Sequence, residues 1–260
     1  MQNHSVWSLD RKKVIITGAA SGIGLAITET FLELGATVLM VDRDQKALDL
    51  EKTRLLDLGF SVDCIVADVT QANDLQAIVR KMESFLGGLD VLVNNVGMNI
   101  RKPTLEYTAE DFHTIMSVNL ESAFNLSRLF YPWLKASQQG PSIVNVSSLN
   151  SQRVIRFTSA MYTASKAALE QLSNFLAVEW APEGIRVNSI HPWATRTPLA
   201  MDAFHKNPDI EERIQKATPL GRIAEPEEVA RVAAFLAMPA ASYITGVNLA
   251  VDGGFSKLGF

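Results

Sequence analysis

Residues 14–24 read VIITGAASGIG, a short apolar run that leads directly into three closely spaced glycines. The apolar run predicts a buried parallel strand, and the residues after it predict a helix that ends at Gly35. A glycine-rich turn between a strand and a helix is typical of a dinucleotide site, because glycines let the backbone approach a pyrophosphate. We therefore expect this turn to bind a dinucleotide through Gly18, Ser21, Gly22, Ile23 and Gly24.

The second predicted strand, 37–41, ends at Asp42, which lies 18 residues after Gly24. A carboxylate at about this distance (~20 residues) binds the adenosine ribose hydroxyls in dinucleotide sites. A 2′-phosphate would meet a like charge at Asp42, which favours NAD over NADP. Arg43 is the competing signal, because an arginine can bind that phosphate. A simple turn residue at the strand end is the alternative interpretation of Asp42.

Two further strand ends carry polar residues. Asp68 and Val69 follow a predicted strand at 61–66, where they can bind the adenine edge or cap the next helix, or do both. Asn95 and Gly97 follow the strand predicted at 90–94. The asparagine stabilises the sheet or contacts the cofactor, and the glycine lets a ribose lie close to the backbone.

The rest of the chain continues to alternate strands with helices. Further strands are predicted at 142–147, 186–190 and 247–251, and helices at about 44–58, 108–135, 162–180 and 226–236. This alternation predicts an α/β fold, a doubly wound parallel sheet of Rossmann type in three αβα layers, as a single domain over 1–260. The weakly periodic stretch 195–218 is expected to form a substrate lid.

The composition is that of an ordinary globular protein, with 47% hydrophobic residues, 20% charged residues and a net charge of −4. This charge gives no reason to expect nucleic acid or an anionic membrane as partner. A single cysteine excludes an intrachain disulfide, and four scattered histidines indicate no metal site. No apolar run approaches the ~18 residues of a membrane span, and the first residues lack a signal-peptide core. We expect a soluble, cytoplasmic protein.

The segment Tyr162-Thr-Ala-Ser-Lys166 places a phenol and an ammonium on the same face of a predicted helix. A nearby positive charge lowers the pKa of a phenol, which otherwise titrates near ~10. A phenol with a lowered pKa is a general acid–base for a carbonyl and alcohol pair. Ser148 stands just past a predicted strand, at the edge where such sheets bind ligands, and can hold the substrate oxygen. Without the glycine turn, an ordinary surface helix would be the better interpretation.

Six motifs follow one another along the chain: TGAASGIG at 17–24, NNVG at 94–97, Asn119 in VNL, SS at 147–148, YTASK at 162–166 and a terminal DGG. Together they resemble the short-chain dehydrogenase/reductase family over essentially the whole chain, and within it the tropinone-reductase-like members. The resemblance implies an NAD(P)(H)-dependent oxidoreductase that transfers a hydride between nicotinamide and a secondary alcohol or ketone. It also implies a homotetramer.

The resemblance gives roles to four residues. Tyr162 would exchange a proton with the substrate oxygen, and Ser148 would position that oxygen. Lys166 would lower the pKa of Tyr162 and bind the nicotinamide ribose, while Asn119 would hold a water that connects Lys166 to solvent. The carboxamide end of the cofactor would contact Pro192, Thr195 and Thr197.

Two features depart from the family pattern. Trp193 stands where the family usually has glycine after the proline, so we expect it to narrow the pocket or to form a stacking wall. Ser148 and Tyr162 are 14 residues apart, one more than the common family spacing, which leaves Ser147 as an alternative to Ser148.

The substrate pocket is expected to be largely apolar, lined by Met98, Ile100, Asn150, Phe157, Met161, Trp193, Leu199, Met201 and Phe204. Arg153 and Arg156 can recognise an acidic substrate, although solvated loop charges are the simpler interpretation. Two competing functions are an NADP-dependent reductase of 3-oxoacyl thioesters or other carbonyls, and a non-catalytic dinucleotide sensor. The presence of Asn119, Ser148, Tyr162 and Lys166 together argues against the sensor, which has no use for a phenol with a tuned pKa.

Overall fold

The described residues form one sheet of seven parallel strands in the order β3-β2-β1-β4-β5-β6-β7. The structure is a computed structural model and describes residues 5–155, 158–198, 200–201, 204 and 208–258. The strands are β1 (Lys13–Thr17), β2 (Thr37–Asp42), β3 (Val62–Val66), β4 (Val91–Asn94), β5 (Ser142–Val146), β6 (Arg186–Pro192) and β7 (Asn248–Val251). The predicted doubly wound parallel sheet is confirmed.

Helices connect the strands and cover both faces of the sheet. They are α1 (Gly22–Glu33), α2 (Gln45–Asp57), α3 (Ala72–Phe85), α4 (Ala109–Met116), α5 (Ser122–Ala136), α6 (Ala160–Glu179), α7 (Pro208–Ala217) and α8 (Pro226–Ala237). A π-helical segment, Ser117–Glu121, joins α4 to α5. The long helix predicted at 108–135 is therefore present with one irregular turn, and it starts at a capping box of Thr108 and Asp111. No helix within the described ranges is long and apolar enough to cross a membrane.

Each face of the sheet buries its own apolar core, because successive side chains of a strand point to opposite faces. Val14 and Ile16 of β1 belong to a cluster that includes residues of α1 and α8. Ile15, which lies between them, belongs to a second cluster that includes residues of α3, α5 and α6. The two cores confirm the three-layer, Rossmann-type arrangement.

The strand order reverses at β1, which pairs with β2 on one side and β4 on the other. Open α/β sheets bind their ligands at the carboxyl ends of the strands beside such a reversal. Here the turn after β1 and the segment after β4 lie side by side: a Cβ built on Gly18 would be 2.9 Å from Asn95 Nδ2. The fold thus brings the predicted glycine turn next to the NNVG motif.

Two boundaries near this edge differ from the sequence prediction. β6 extends to Pro192, because His191 and Pro192 continue its pairing with β7. The stretch 195–218 contains a helix, α7, whose large apolar residues are Ile210 and Ile214. Two apolar residues one turn apart are too few to produce a clear periodic signal, which is why the sequence did not predict this helix.

Candidate active site

A cavity of about 680 Å³ runs along the carboxyl ends of the strands and reaches α7. Its glycine-turn end is lined by residues of 18–23, 41–43 and 67–70, and its α7 end by Phe204, Ile210 and Ile214. Arg101, Ile155 and Thr158 also line the cavity. Most predicted site residues line this one cavity: Gly18, Ser21, Gly22, Ile23, Asp42, Arg43, Asp68, Val69, Asn95, Gly97, Ser148, Tyr162, Lys166, Pro192, Thr195 and Thr197. Gly24 and Asn119 are not among the lining residues, and both contact residues that are.

The glycine turn depends on close contacts between backbone groups. Gly18 and Gly22 have φ angles of +64° and +53°, a region that side chains disfavour. At Gly24 the space itself is missing, because a Cβ there would lie 1.9 Å from the Gly18 carbonyl oxygen. Asn95 donates its side-chain amide to the carbonyl oxygens of Thr17 and Gly18, both at 3.1 Å. Gly24 and Asn95 therefore hold the turn in shape.

The start of α1 suits an anion. Ser21 is the N-cap of this helix, and its side chain makes no capping hydrogen bond. The first N–H groups of a helix have no partner inside the helix, and together with the helix dipole they attract negative charge. An uncapped helix start beside a glycine turn is the arrangement that binds a pyrophosphate.

Asp42 ends β2 at the same end of the cavity. Its Oδ2 accepts a hydrogen bond from the backbone N–H of Ala20 at 3.0 Å, and its Oδ1 accepts one from Asp44 at 3.1 Å. The carboxylate thus ties the glycine turn to the strand end, which agrees with the turn interpretation. Each oxygen keeps a lone pair for a ribose hydroxyl. Arg43 lines this end with an exposed side chain.

Asp68 and Val69 line the cavity but do not cap the next helix. The N-cap of α3 is Gln71. Asp68 Oδ1 accepts hydrogen bonds from the backbone N–H and the hydroxyl of Thr70, at 2.9 and 2.7 Å. The capping alternative for this pair is therefore wrong, because the carboxylate closes a local turn before the helix begins.

Asn119 is buried behind the cavity wall, in the π-helical segment. Its Oδ1 accepts from the N–H of Met98 at 2.8 Å, and its Nδ2 donates to the Met98 carbonyl at 3.0 Å and to Ser165 Oγ at 2.9 Å. The amide therefore joins the loop after β4 to α6. A Cβ on Gly97 would lie 3.1 Å from Lys166 Nζ, so this glycine, which we expected to make room for a ribose, makes room for the lysine.

Ser148 caps a 3₁₀ turn, Leu149–Ser151, at the end of β5. Its Oγ accepts hydrogen bonds from the backbone N–H and the side-chain amide of Asn150, at 3.3 and 3.0 Å. Thr158 Oγ1 in turn donates to Asn150 Oδ1 at 2.8 Å. Because Asn150 occupies the acceptor sites of the Ser148 hydroxyl, the hydroxyl proton points to another partner.

The neighbouring group is Tyr162, because a hydrogen bond from the Ser148 side chain acts to lower the pKa of the phenol. Ser147 faces the other way, because its hydroxyl donates to the Lys166 carbonyl at 3.0 Å. Both serines line the cavity. Of the two alternatives left open by the sequence, the geometry favours Ser148.

The pKa of Tyr162 differs from the sequence expectation. Burial raises it, while the Ser148 hydrogen bond and the positive charge of Arg101 act in the opposite direction. Burial lowers the pKa of Lys166 to about 8, and Lys166 Nζ donates to the Val146 carbonyl at 2.9 Å. The expectation of a lowered pKa for Tyr162 is therefore not met in this structure: desolvation of the phenol dominates, and the charge that acts against it is that of Arg101.

Trp193 lines the cavity and forms a stacking wall, which is one of the two roles expected from the sequence. Its ring stacks on Phe255, with the centroids 4.1 Å apart and the planes 17° from parallel. Its Nε1 donates to Thr218 Oγ1 at 3.0 Å. The indole thus joins the end of β6 to the residue that follows α7 and to the C-terminal segment.

The segment after β6 crosses the cavity next to the glycine turn. A Cβ on Gly22 would be 3.3 Å from Thr197 Cγ2, and Thr195 is buried. Between them Arg196 forms ion pairs with Glu211 of α7 at 3.1 Å and with Glu225 at 3.2 Å. These contacts connect α7 to both neighbouring segments.

The expected pocket residues divide into three groups. Met98, Asn150, Trp193 and Phe204 line the cavity, as predicted. Three others are absent from its lining: Ile100, Met161 and Met201. Phe157 and Leu199 lie outside the described residues.

Arg101 also lines the cavity, and its charge acts on Tyr162; sequence reasoning missed this residue. Arg153 donates instead to the carbonyl of Ser256 and does not line the cavity. Arg156 lies outside the described residues. Arg101 follows β4 at the carboxyl edge of the sheet, and that position is the signal that would have singled it out.

A glycine turn in a Rossmann-type sheet, opening into the cavity that holds a hydrogen-bonded serine and tyrosine, defines the class of NAD(P)-dependent oxidoreductases. The chain belongs to the short-chain dehydrogenase/reductase family: its residues 18–256 match a model of that family described as enoyl-(acyl carrier protein) reductase. The resemblance read from the motifs is thereby confirmed.

Among similar proteins, a tropinone reductase homolog of Arabidopsis thaliana is 42% identical over 261 residues, which cover 100% of this chain and 98% of the relative. Two solved structures share the fold. A 7α-hydroxysteroid dehydrogenase complexed with NADH and 7-oxo glycochenodeoxycholic acid has a TM-score of 0.90 and 34% identity, covering 98% of both chains. A gluconate 5-dehydrogenase of Burkholderia cenocepacia, in complex with NADP and tartrate, has a TM-score of 0.90 and 31% identity, covering 97% of this chain and 98% of the other.

Proposed function

We propose that this protein interconverts a ketone and a secondary alcohol with an NAD(P)(H) cofactor, and that Tyr162 is its general acid–base. The observation that carries the proposal is that Ser148, Tyr162 and Lys166 line the same cavity as the glycine turn, and that Ser148 acts on the phenol through a hydrogen bond. A cavity that only sensed a dinucleotide would have no use for this combination of side chains. The catalytic residues in this proposal are Asn119, Ser148, Tyr162 and Lys166.

The residues at the glycine-turn end fit a dinucleotide. The uncapped start of α1 suits a pyrophosphate, and the missing Cβ atoms leave the backbone accessible. When bound, the nicotinamide supplies or accepts the hydride. We propose that the cofactor is held by Gly18, Ser21, Gly22, Ile23, Asp42, Arg43, Asp68, Val69, Asn95, Gly97, Tyr162, Lys166, Pro192, Thr195 and Thr197, with Gly24 shaping the turn.

Proton handling follows from the pKa directions. Because the pKa of Tyr162 is raised, the phenol keeps its proton at neutral pH and can donate it to a carbonyl oxygen. When a carbonyl oxygen is bound, the Ser148 hydroxyl would donate its proton to that oxygen instead of to Tyr162, since Asn150 occupies its acceptor sites. Lys166 would bind the nicotinamide ribose, and Asn119 would hold the loop after β4 and a water near Lys166.

We propose NAD as the preferred cofactor, because Asp42 puts a negative charge where a 2′-phosphate would lie. Titration of the protein with NADH and with NADPH, followed by nicotinamide fluorescence, measures the preference. We expect tighter NADH binding, and an Asp42→Ala variant should narrow the difference. Tighter binding of NADPH by the unchanged protein would contradict the assignment.

The remaining parts of the proposal concern the surroundings of the site. We propose that residues 195–218 act as a lid, since α7 contributes Ile210 and Ile214 to the cavity lining. A homotetramer, a single functional domain over the whole chain, a small-molecule substrate and a cytoplasmic location stay predictions from the sequence.

The test of the function is a Tyr162→Phe variant, assayed by nicotinamide absorbance with a panel of ketones and alcohols. We expect a loss of about 10²- to 10⁴-fold in kcat/KM, the usual contribution of a positioned acid–base, with dinucleotide affinity retained. Tyr243→Phe is the matched control, because Tyr243 is fully exposed and does not line the cavity. Equal activity of Tyr162→Phe and the unchanged protein would reject the proposal.

A further inference from the structure

The charges along the cavity are unevenly distributed. Among the described lining residues, the acidic side chains are Asp42 and Asp68, both at the glycine-turn end. The basic ones are Arg43 at that same end, Lys166, and Arg101, whose charge acts on Tyr162. A negatively charged ligand group beside Arg101 would therefore face a guanidinium, and the described carboxylates of the lining all belong to the glycine-turn end.

Arg101 differs from its neighbours in having no acidic partner among the described residues. The adjacent Lys102 forms an ion pair with Asp111, and Arg196 is held between two glutamates. Arg101 takes part in none of the ion pairs of the described ranges, and its side chain is exposed at the cavity. It is a cation whose hydrogen-bonding groups are available to a ligand.

Arg101 also acts on the group that carries the proposed chemistry. Its positive charge opposes the rise in the pKa of Tyr162, so the guanidinium is close enough to Tyr162 for its field to be felt. A ligand whose carbonyl group lies at Tyr162 can thus extend another group toward Arg101. The cavity lining beyond the glycine turn includes the apolar side chains of Ile155, Trp193 and Phe204 as well as the polar side chains of Asn150 and Thr158.

We propose that the substrate of this enzyme carries a carboxylate, bound by Arg101, at some distance from the carbonyl or alcohol group that reacts. This inference rests on the proposed function and names its substrate class. The planar guanidinium binds a carboxylate through two parallel hydrogen bonds. One arginine balances one carboxylate, whereas a phosphate dianion would need a second cation. The lysine of the cavity lining, Lys166, donates to the Val146 carbonyl.

The same arrangement disfavours a substrate with a basic amine at this position, because the ammonium would face the like charge of Arg101. The effect is electrostatic and Arg101 is exposed, so it weakens as salt is added. Three substrates of similar shape, one anionic, one neutral and one cationic, therefore distinguish a preference for charge from a preference for shape.

The experiment measures kcat/KM of the protein with NADH at low ionic strength for three cyclic ketones. They are 4-oxocyclohexanecarboxylate, the corresponding neutral carboxamide and 4-(dimethylamino)cyclohexanone, which is cationic at neutral pH. We expect the carboxylate to exceed the carboxamide by about tenfold to a hundredfold, the usual value of a hydrogen bond to a charged group, and the amine to be the poorest. Arg101→Met should abolish the preference, and Arg101→Lys should restore part of it.

Arg153→Gln is the matched control, because it removes the same charge from an arginine that does not line the cavity. It should leave the ratio of carboxylate to carboxamide unchanged. A ratio near one in the unchanged protein, or a ratio that survives in Arg101→Met, would overturn the inference while leaving the proposed function intact.

If none of the three ketones is turned over, the inference is judged by binding, while the panel of ketones and alcohols still decides the proposed function. Calorimetric titration of the protein–NADH complex with 4-oxocyclohexanecarboxylate and with the carboxamide should still show tighter binding of the carboxylate, lost in Arg101→Met. Equal binding of the two ligands would overturn the inference as well.

Discussion

At the glycine-turn end of the cavity, the backbone of neighbouring segments meets at close range, whereas at the α7 end side chains from distant segments meet one another. The turn at the first end has no room for a further atom at Gly24, and Asn95 is hydrogen-bonded directly to its backbone. The second is walled by Phe204, Ile210 and Ile214, which pack as a small cluster separate from the two cores of the sheet.

This difference indicates which end tolerates change. Backbone atoms cannot move aside by changing rotamer, so an added atom in the glycine turn cannot be accommodated. The glycine-turn end therefore accepts one kind of ligand. Side-chain walls can be repacked at moderate cost, so the α7 end can be adapted to different ligands on the same fold. The two ends should therefore respond very differently to small substitutions.

The largest effect is expected from Gly24→Ala. A Cβ at this position would lie 1.9 Å from the Gly18 carbonyl oxygen and 2.6 Å from Asn95 Nδ2, and the first of these is backbone that cannot rotate away. We expect a loss of more than about 4 kcal/mol of stability in urea unfolding, together with loss of dinucleotide binding.

Gly59→Ala is the control for Gly24→Ala. Gly59 has a φ of +85° and nothing within 4 Å of a built Cβ. The Gly59→Ala variant should lose only about 1–2 kcal/mol of stability, the cost of a side chain at a positive φ, and its dinucleotide binding should be unchanged. If Gly24→Ala and Gly59→Ala lost similar amounts of stability and bound the dinucleotide equally well, the inference that the glycine turn has no room for a Cβ at Gly24 would be wrong.

The second prediction concerns Lys166, which lines the same cavity. The pKa of Lys166 is about 8 in the folded protein against 10.5 for the free side chain. Between these values the unfolded chain binds more protons, so the free energy of unfolding rises with pH, by about 3 kcal/mol over the whole interval. Urea unfolding of the cofactor-free protein from pH 8 to 10 should show this rise, and in Lys166→Met the rise should be smaller, because only the part due to Lys12 remains.

Lys12→Met provides the comparison for Lys166→Met. The pKa of Lys12 is also lowered to about 8 by burial, but Lys12 binds the carbonyl oxygens of Gln139 and Gly140 and does not line the cavity. Its loss should flatten the pH dependence without weakening NADH binding, whereas Lys166→Met should do both. An unchanged slope in Lys166→Met would mean that this lysine is not desolvated.

The same contrast explains what could be predicted from the sequence. The glycine turn and Asp42 are neighbours along the chain or follow known spacings, so local pattern was enough to find them. Arg101 and the stack of Trp193 on Phe255 depend on loops that approach only in the folded protein. The pKa of Tyr162 was misjudged for the same reason: the sequence shows a lysine four residues away, but not the burial of the phenol.

An intermediate effect is expected from Asn119→Ala. The change leaves the N–H and the carbonyl of Met98 without their side-chain partner in a buried setting. We expect a loss of about 2 kcal/mol in urea unfolding and a lower kcat, because the loop that carries both Gly97 and Arg101 loses its anchor on α6. Asn119→Asp should recover the bond from the Met98 N–H only. A stability equal to that of the unchanged protein would show that water replaces the amide at no cost.

The smallest effect is expected at the α7 end, from Trp193→Phe. Phenylalanine keeps a ring to stack on Phe255 but loses the hydrogen bond from Trp193 Nε1 to Thr218 Oγ1 at 3.0 Å, which costs about 1 kcal/mol of stability. The wall should repack, so NADH affinity should stay within about twofold while KM for the ketone rises. Thr218→Val removes the same hydrogen bond from its other side and should give a similar stability loss. A fall in NADH affinity comparable to that of Gly24→Ala would contradict this expectation. If the wall repacks independently, the loss of one indole N–H at Trp193 cannot disturb the glycine turn, so such a fall would mean that the two ends of the cavity form one rigid unit.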